Sequence, residues 1–577
     1  MLDYVIRGGL VADGSGAPAR RADVGIDGGR ITAIGKVEEQ GAHELDAEGL
    51  VVAPGIIDPH THYDAQLFWD PTASPSNLHG VTTVVGGNCG FTLAPIKAAD
   101  HDYIRRMMAK VEGMPLVALE EGVGWDWTSF GEYLGRLEGN LGVNAGFLVG
   151  HCAIRRWVMG EDRGSEVATD EEVAAMRQLL AESIEAGGLG FSSSQSRTHS
   201  DGDGNPISSR NADRREMLAF CEVVRDHPGT TLEYITNGCL DSFSDEEIDL
   251  MVAMTTTAHR PLNWNLLTVD SRTPDKTARQ LEASSRARAA GGRIVALTMP
   301  TLVPMNMSFR NHCALFLIPG WGDVMGLPLE ARKAKLRDPA VRAQLDELAH
   351  SEGAGVFRRL SNWANYVIGD TYAPENEGLS WRDVGSIATE QQKPPFDALL
   401  DLVIADDLRT VLWPKASDGD AASWKARVDV WDDPGAMLGG SDAGAHLDRM
   451  CGSNYPTSFL GDSLRQRRLV SLERAVQMMT AEPADLFGLF DRGRLEVGLR
   501  ADVFVFDPET VGSGPATLVH DLPGGSPRLV ADAKGVIRVL VNGTETIVDG
   551  RPTGNLPGTL LRSGRDTHTV DPAAAAA

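Results

Sequence analysis

Residues 54–66 read PGIIDPHTHYDAQ, a short apolar run that ends in His60-Thr61-His62. In an extended chain successive side chains alternate between faces, so both imidazoles project to the same side of the strand end. Two neutral imidazoles there supply adjacent ligands to a divalent ion such as zinc and leave positions for water and substrate. A His-x-His pair alone is a weak signal, and the sequence around it decides its meaning.

Upstream lie short β-rich runs broken by Gly and Asp turns, DYVIRGGLVADG (3–14), RADVGIDGGRITAIG (21–35) and LVVAPGIID (50–58). The same texture returns near the other end in GRLEVGLRADVFVFDPETV (493–511) and GVIRVLVNGTETIVDGR (535–551), with Asn-Gly and Asp-Gly turns. The two ends are expected to pair into one small β-sandwich, with residues 1–53 and 485–562 as its halves. Between them, strand-like runs alternate with helical stretches such as DEEVAAMRQLLAESIEAG (170–187), which is the pattern of parallel βα units.

Eight strand candidates can be counted: GIIDPHTH, HGVTTVVGGNC, NAGFLVGH, GGLGFSSS, TTLEYIT, RPLNWNLL, RIVALTM and AMLGGSD. The expected fold class is therefore α/β, a (β/α)8 TIM barrel over residues 54–484 carrying the β-sandwich formed by both chain ends. The long gap before the last strand places an insertion at about 300–435, which is read as a substrate lid. Residues 563–577, ending in DPAAAAA, read as a tail.

Composition narrows the partners. A net charge of -26, from 80 acidic against 54 basic residues, opposes binding to nucleic acid or an anionic bilayer. No basic-then-apolar leader opens the chain, and no apolar run is long enough to span a bilayer, so a cytoplasmic location is expected. Six scattered cysteines argue for thiols rather than a disulfide framework.

Taken in order, PGIIDPHTHYDAQ, GVTTVVGGNCG (80–90) and GGSDAGAH (439–446), each at a candidate strand end, resemble the amidohydrolase superfamily, and within it the N-acyl-D-amino-acid deacylase branch. The resemblance covers nearly the whole chain, since GRLEVGLRADVFVFDP and VLVNG also look like the family's C-terminal β-sandwich. It implies a hydrolase that cleaves a C–N amide bond other than a peptide bond in a small molecule, with an N-acyl-D-amino acid as the leading substrate class. A cyclic amide, carbamoyl compound or lactone on the same site is the alternative, and a non-catalytic small-molecule-binding barrel is the reading from a different class. The implied cofactor is a divalent metal, zinc, as one or two ions, and the implied assembly is a homo-oligomer.

Carried over residue by residue, the resemblance makes His60 and His62 metal ligands and Cys89 a thiolate ligand. Asp442 becomes both a ligand and the catalytic group that accepts the proton of the attacking water and returns it to the leaving amine. His446 lies four residues on, at the mouth if a helix starts at once, where it orients Asp442 or contacts substrate. His151, closing the third strand, belongs near the metal or substrate, and Arg197, in the loop after the fourth, is a partner for a substrate carboxylate. Trp321 and Met325, in IPGWGDVMGLP (318–328), are placed over the mouth to favour an apolar acyl group.

One departure from the branch stands out. Its members place histidine ligands at the ends of strands five and six, whereas TTLEYITNG and PLNWNLLTVDS offer Glu233, Thr236, Asn263 and Asn265 instead. Glu233 restores one ligand if its side chain points inward.

Overall fold

The structure is a computed structural model, and it describes residues 1–310 and 313–573. The chain forms two compact units, one of Met1–Val303, Ala422–Leu447 and the chain from Cys451 onward, the other of Pro304–Ala421 and Asp448–Met450. Within the first unit both faces of eight parallel strands are covered by apolar packing, as their near-continuous Val, Ile and Leu content requires. We number them β1 (Ile56–Asp58), β2 (Val81–Gly86), β3 (Asn144–Phe147, continued by Val149–Gly150), β4 (Gly190–Ser194), β5 (Thr231–Ile235), β6 (Leu262–Trp264), β7 (Ile294–Thr298) and β8 (Ala436–Leu438).

Each strand pairs with the next in sequence order, from β1 with β2 through β7 with β8. Just past β8, Ala443 pairs in parallel with Thr61, just past β1, and its carbonyl accepts a bond from the His62 amide at 2.7 Å. The fold is thus α/β, since parallel neighbours need crossovers and helices supply them. Helix Asp170–Glu185 leads into β4 and helix Asp245–Ala258 into β6. Both begin at capping boxes, Thr169 with Glu172 and Ser244 with Glu247, which satisfy amides that the first turn leaves unpaired.

The chain ends meet in one nine-stranded sheet. Its hub is the strand Val51–Pro54, which pairs in parallel with the opening strand Leu2–Val11 and antiparallel with Val503–Phe506. Only Gly55 separates this strand from β1, so the sheet fixes where the His60-Thr61-His62 segment begins. A further hairpin, Gly512–Leu522 with Ser526–Lys534, was not read from the sequence. The expected tail at 563–577 is corrected over most of its length. The Thr567 hydroxyl donates to the Gly229 carbonyl at 2.6 Å and the His568 amide to the Gly488 carbonyl at 2.8 Å, so the segment is tied down by backbone acceptors. The four alanines at 574–577 lie outside the described residues.

His79, just ahead of β2, is wholly buried. Its Nδ1 lies 2.6 Å from the Thr457 hydroxyl and its Nε2 3.0 Å from the Ala531 carbonyl, which a neutral ring satisfies by donating from Nε2 and accepting at Nδ1. Burial pushes its pKa down from 6.5 to about 4. Below pH 6.5 the unfolded chain takes up a proton that the folded ring refuses, so stability falls as the pH drops, by ~2 kcal/mol between pH 7 and 5 for this group. His79→Gln is expected to flatten that drop by the same amount in urea unfolding at the two pH values, and an unchanged drop would exclude His79 as its source.

The second unit has its own apolar core. Trp321 sits in it with no exposed surface, stacked 5.7 Å from Trp363, its indole N–H donating to the Leu345 carbonyl at 2.9 Å. The expectation that Trp321 and Met325 stand over the mouth to meet substrate is corrected, because Trp321–Met325 is a short helix and both side chains are core. Apolar packing within the unit outcompetes exposure of so much ring surface. Trp321→Ala is expected to cost this unit ~3–5 kcal/mol, read by calorimetry, with any loss of turnover equal for apolar and polar acyl groups.

Candidate metal centre

Residues from five of the parallel strands or the turns that follow them, and from one helix end, converge at the C-terminal side of the strands. Past β1 the chain is pinned by the Thr61 hydroxyl, which donates to the Val85 carbonyl at 2.8 Å, while Asp58 accepts from the Ser441 hydroxyl at 2.6 Å. Thr61 so turned leaves His60 and His62 facing inward together, their rings 5.4 Å apart and at 72°. Both are fully buried.

Past β2, Gly87-Asn88-Cys89-Gly90 turns back sharply. Gly87 has φ 73, and a methyl there would lie 2.1 Å from the Leu148 carbonyl oxygen, so only glycine fits. Cys89 itself is left-handed, at φ 56, a conformation held by its amide donating to Glu233 Oε2 at 3.0 Å. Its Sγ lies 3.5 Å from His60 Nε2, and the ligand atoms of His60, His62 and Cys89 all fall within 4.8 Å of one another.

Asp442 closes the ring. Its Oδ1 is 3.3 Å from His60 Nε2 and 3.9 Å from His62 Nε2, and it accepts from Asn265 Nδ2 at 3.1 Å. No helix starts there, contrary to the expectation attached to His446: Asp442 and His446 both have positive φ, 51 and 50, in an irregular segment. The Gly-rich GGSDAGAH keeps the backbone turning and leaves the Asp442 side chain 19% exposed, open to a small molecule. His446 is half-buried, and its backbone amide donates to the Glu112 carbonyl.

Glu233 does point inward. It pairs in register with Ser192, whose hydroxyl also faces the Cys89 turn through the Gly90 amide at 3.0 Å, and with Asn263. Glu112, at the end of helix His101–Val111, brings Oε2 to 3.6 Å from His62 Nε2. Nothing in VEGMP marks that residue as a site group, and its sequence position between β2 and β3 conceals it. His199, on the loop after β4, is half-buried, with Nδ1 2.8 Å from the Ser194 hydroxyl and its ring packed on Phe91.

The donor set fits a cation. His60 Nδ1, both nitrogens of His62, Glu233 Oε1 and Asn265 Oδ1 are buried with no hydrogen-bond partner among the described residues. Such atoms cost about 1–3 kcal/mol each when left unsatisfied. Burial pushes the His60 pKa down to about 3, helped by nearby His199, and drives that of His62 well below its ordinary value. Burial raises Asp442 to about 7, helped by Asp58, and lifts Glu233 and the Cys89 thiol well above their usual ranges. Neutral imidazoles are already in ligand form, and a divalent ion reverses the shifts of the carboxylates and the thiol.

His151 lies apart from this cluster. His151 is fully buried with both ring nitrogens engaged, Nδ1 2.8 Å from the Ser193 hydroxyl and Nε2 2.7 Å from Glu216 Oε1, and Glu216 also pairs with Arg155. Ser193 alternates with the inward-facing Ser192, so His151 packs on the opposite face of β4, against Phe191 and Phe220. The expectation that it stands near metal or substrate is corrected, since β3 ends at Gly150 and helix His151–Arg163 carries the ring away. Arg197 is exposed on the loop after β4, its amide donating to Asn237 Oδ1 at 3.1 Å. All six cysteines are free and buried. No helix among the described residues is long and apolar enough to cross a membrane.

A family model described as the amidohydrolase family matches residues 43–553, and the chain belongs to that family. Membership makes it a metal-dependent hydrolase of amide-type bonds. It is 30% identical over 571 residues to D-aminoacylase of Alcaligenes xylosoxydans xylosoxydans, covering 97% of each chain. N-acyl-D-aspartate deacylase of the same organism is 30% identical over 569 residues, covering 97% of this chain and 95% of the relative. Among solved structures, N-acyl-D-glutamate deacylase from Bordetella bronchiseptica, complexed with zinc and a phosphonate mimic of the tetrahedral intermediate, aligns with a TM-score of 0.65 at 25% identity, covering 97% of this chain and 100% of the other.

Proposed function

We propose that this protein hydrolyses N-acyl-D-amino acids, releasing a carboxylic acid and a free D-amino acid. The observation that carries the reading is the buried His60, His62 and Cys89 cluster with Asp442 Oδ1 3.3 Å from His60, in a chain that matches D-aminoacylase over 97% of its length. In this reading the eight parallel strands close as a (β/α)8 barrel and the end-to-end sheet belongs to a β-sandwich beside it. His60, His62, Cys89 and Asp442 hold zinc, and Glu233, with its free buried Oε1, stands in for a ligand that strand five lacks.

Bound zinc supplies Lewis acidity, polarising the amide carbonyl and acidifying the attacking water. Asp442 then takes the water's proton on its carboxylate and delivers it to the departing nitrogen. Asn265, donating to Oδ1, fixes the carboxylate's orientation. Arg197, exposed and with no carboxylate in ion-pair range among the described residues, is the cation we assign to the substrate carboxylate.

The test is metal analysis of purified protein followed by a screen for amine release from paired N-acyl-D and N-acyl-L amino acids. The expected result is at least one zinc per chain and turnover confined to the D series. A chain that takes up no zinc, cobalt or manganese and releases no amine would overturn the reading.

A further inference from the structure

The strand ends do not account for every donor facing the cluster. Glu112 reaches it from the helix between β2 and β3, and the carboxylate is almost wholly buried. Its backbone is held on both sides: the amide donates to the Met108 carbonyl at 3.0 Å, and the carbonyl accepts from the His446 amide. With the main chain so fixed, Oε2 lies 3.6 Å from His62 Nε2, beyond hydrogen-bond reach. That same Nε2 has no hydrogen-bond partner among the described residues and is 3.9 Å from Asp442 Oδ1.

His62 Nε2 stands 3.6 Å from Glu112 Oε2 and 3.9 Å from Asp442 Oδ1, each longer than a hydrogen bond and within the span of two ligands of one ion. On the other flank, Cys89 Sγ and His60 Nε2 stand 3.5 Å apart, next to Glu233. The donors therefore sort into a thiol side and a carboxylate side, with Asp442 Oδ1 between them.

We propose that Glu112 is a metal ligand, sharing an ion with His62 and Asp442, so that this chain completes its centre with a carboxylate supplied by a helix end. The assignment rests on the metal-dependent reading above and goes beyond it in naming a ligand that no strand-end motif contains. A carboxylate on that side favours harder, oxygen-preferring divalent ions there, while the thiol side keeps a preference for zinc.

The experiment measures zinc and manganese dissociation constants by chelator competition for wild type, Glu112→Gln and Glu112→Asp, with thermal midpoints of each protein with and without metal. Glu112→Gln is expected to weaken binding at one position by about 10–100-fold, more for manganese than for zinc, and to shrink the rise in midpoint that metal produces. Glu112→Asp, which keeps the charge, is expected to lose less. Binding within twofold of wild type, or a midpoint lowered equally with and without metal, would reduce Glu112 to a packing residue while leaving the metal centre intact. A wild-type chain that binds no metal would overturn both readings together.

Discussion

Asp442→Asn is expected to lower kcat/KM by about 10³-fold at saturating zinc, equivalent to ~4 kcal/mol of transition-state stabilisation. The amide of asparagine retains the size of the side chain and an oxygen that can accept from Asn265 Nδ2, now at 3.1 Å from Oδ1, so the turn after β8 should persist. What disappears is the base. The asparagine amide cannot accept a proton and return it within a single turnover as the carboxylate does. Because Oδ1 also lies 3.3 Å from His60 Nε2, some metal affinity should be lost as well. Measuring rate against added zinc separates the two effects: a deficit that persists at saturation belongs to proton transfer, and full recovery would show that Asp442 acts only as a ligand.

The second large effect falls on Cys89. Cys89→Ser changes one atom in a turn whose shape is set by Gly87 and by the Cys89 amide bond to Glu233, so folding should be little altered. Zinc affinity is nevertheless expected to fall by about 100-fold, or ~2.7 kcal/mol, because a thiolate is exchanged for a neutral hydroxyl. Cobalt-substituted wild type should show a thiolate-to-metal charge-transfer band that the serine variant lacks. A wild-type cobalt spectrum without that band would leave Cys89 a buried thiol, which is the ordinary fate of a free cysteine.

Much of this was readable along the chain because it depends on local pattern. Each of the eight quoted stretches contains an observed strand, since β-branched runs bounded by Gly, Pro and Asp report extended backbone regardless of what packs on them. Thr61 sits between two histidines, and period two alone predicts that His60 and His62 share a face. The turn glycines around Cys89 likewise declared a backbone that no side chain allows. Asp442 was legible only through its context, GGSDAGAH.

Other groups were decided by what lies far away in sequence. Glu112 is 50 residues from His62, and only the packing of its helix against the strand ends brings the two within 3.6 Å. Glu233 faces the cluster because pairing with β4 sets it level with Ser192, and a one-residue slip in register would have pointed it outward. The helix that starts at His151 carried its ring away, to Glu216 and Ser193. Trp321 left the surface because the second unit has its own core to fill. Local sequence determined which segments are strands and which carry imidazoles and a thiol at their ends, because those are properties of a few neighbouring residues. Tertiary structure alone decided which carboxylates complete the site, because the side chain of a buried acid goes where long-range packing and strand register leave charge to be met.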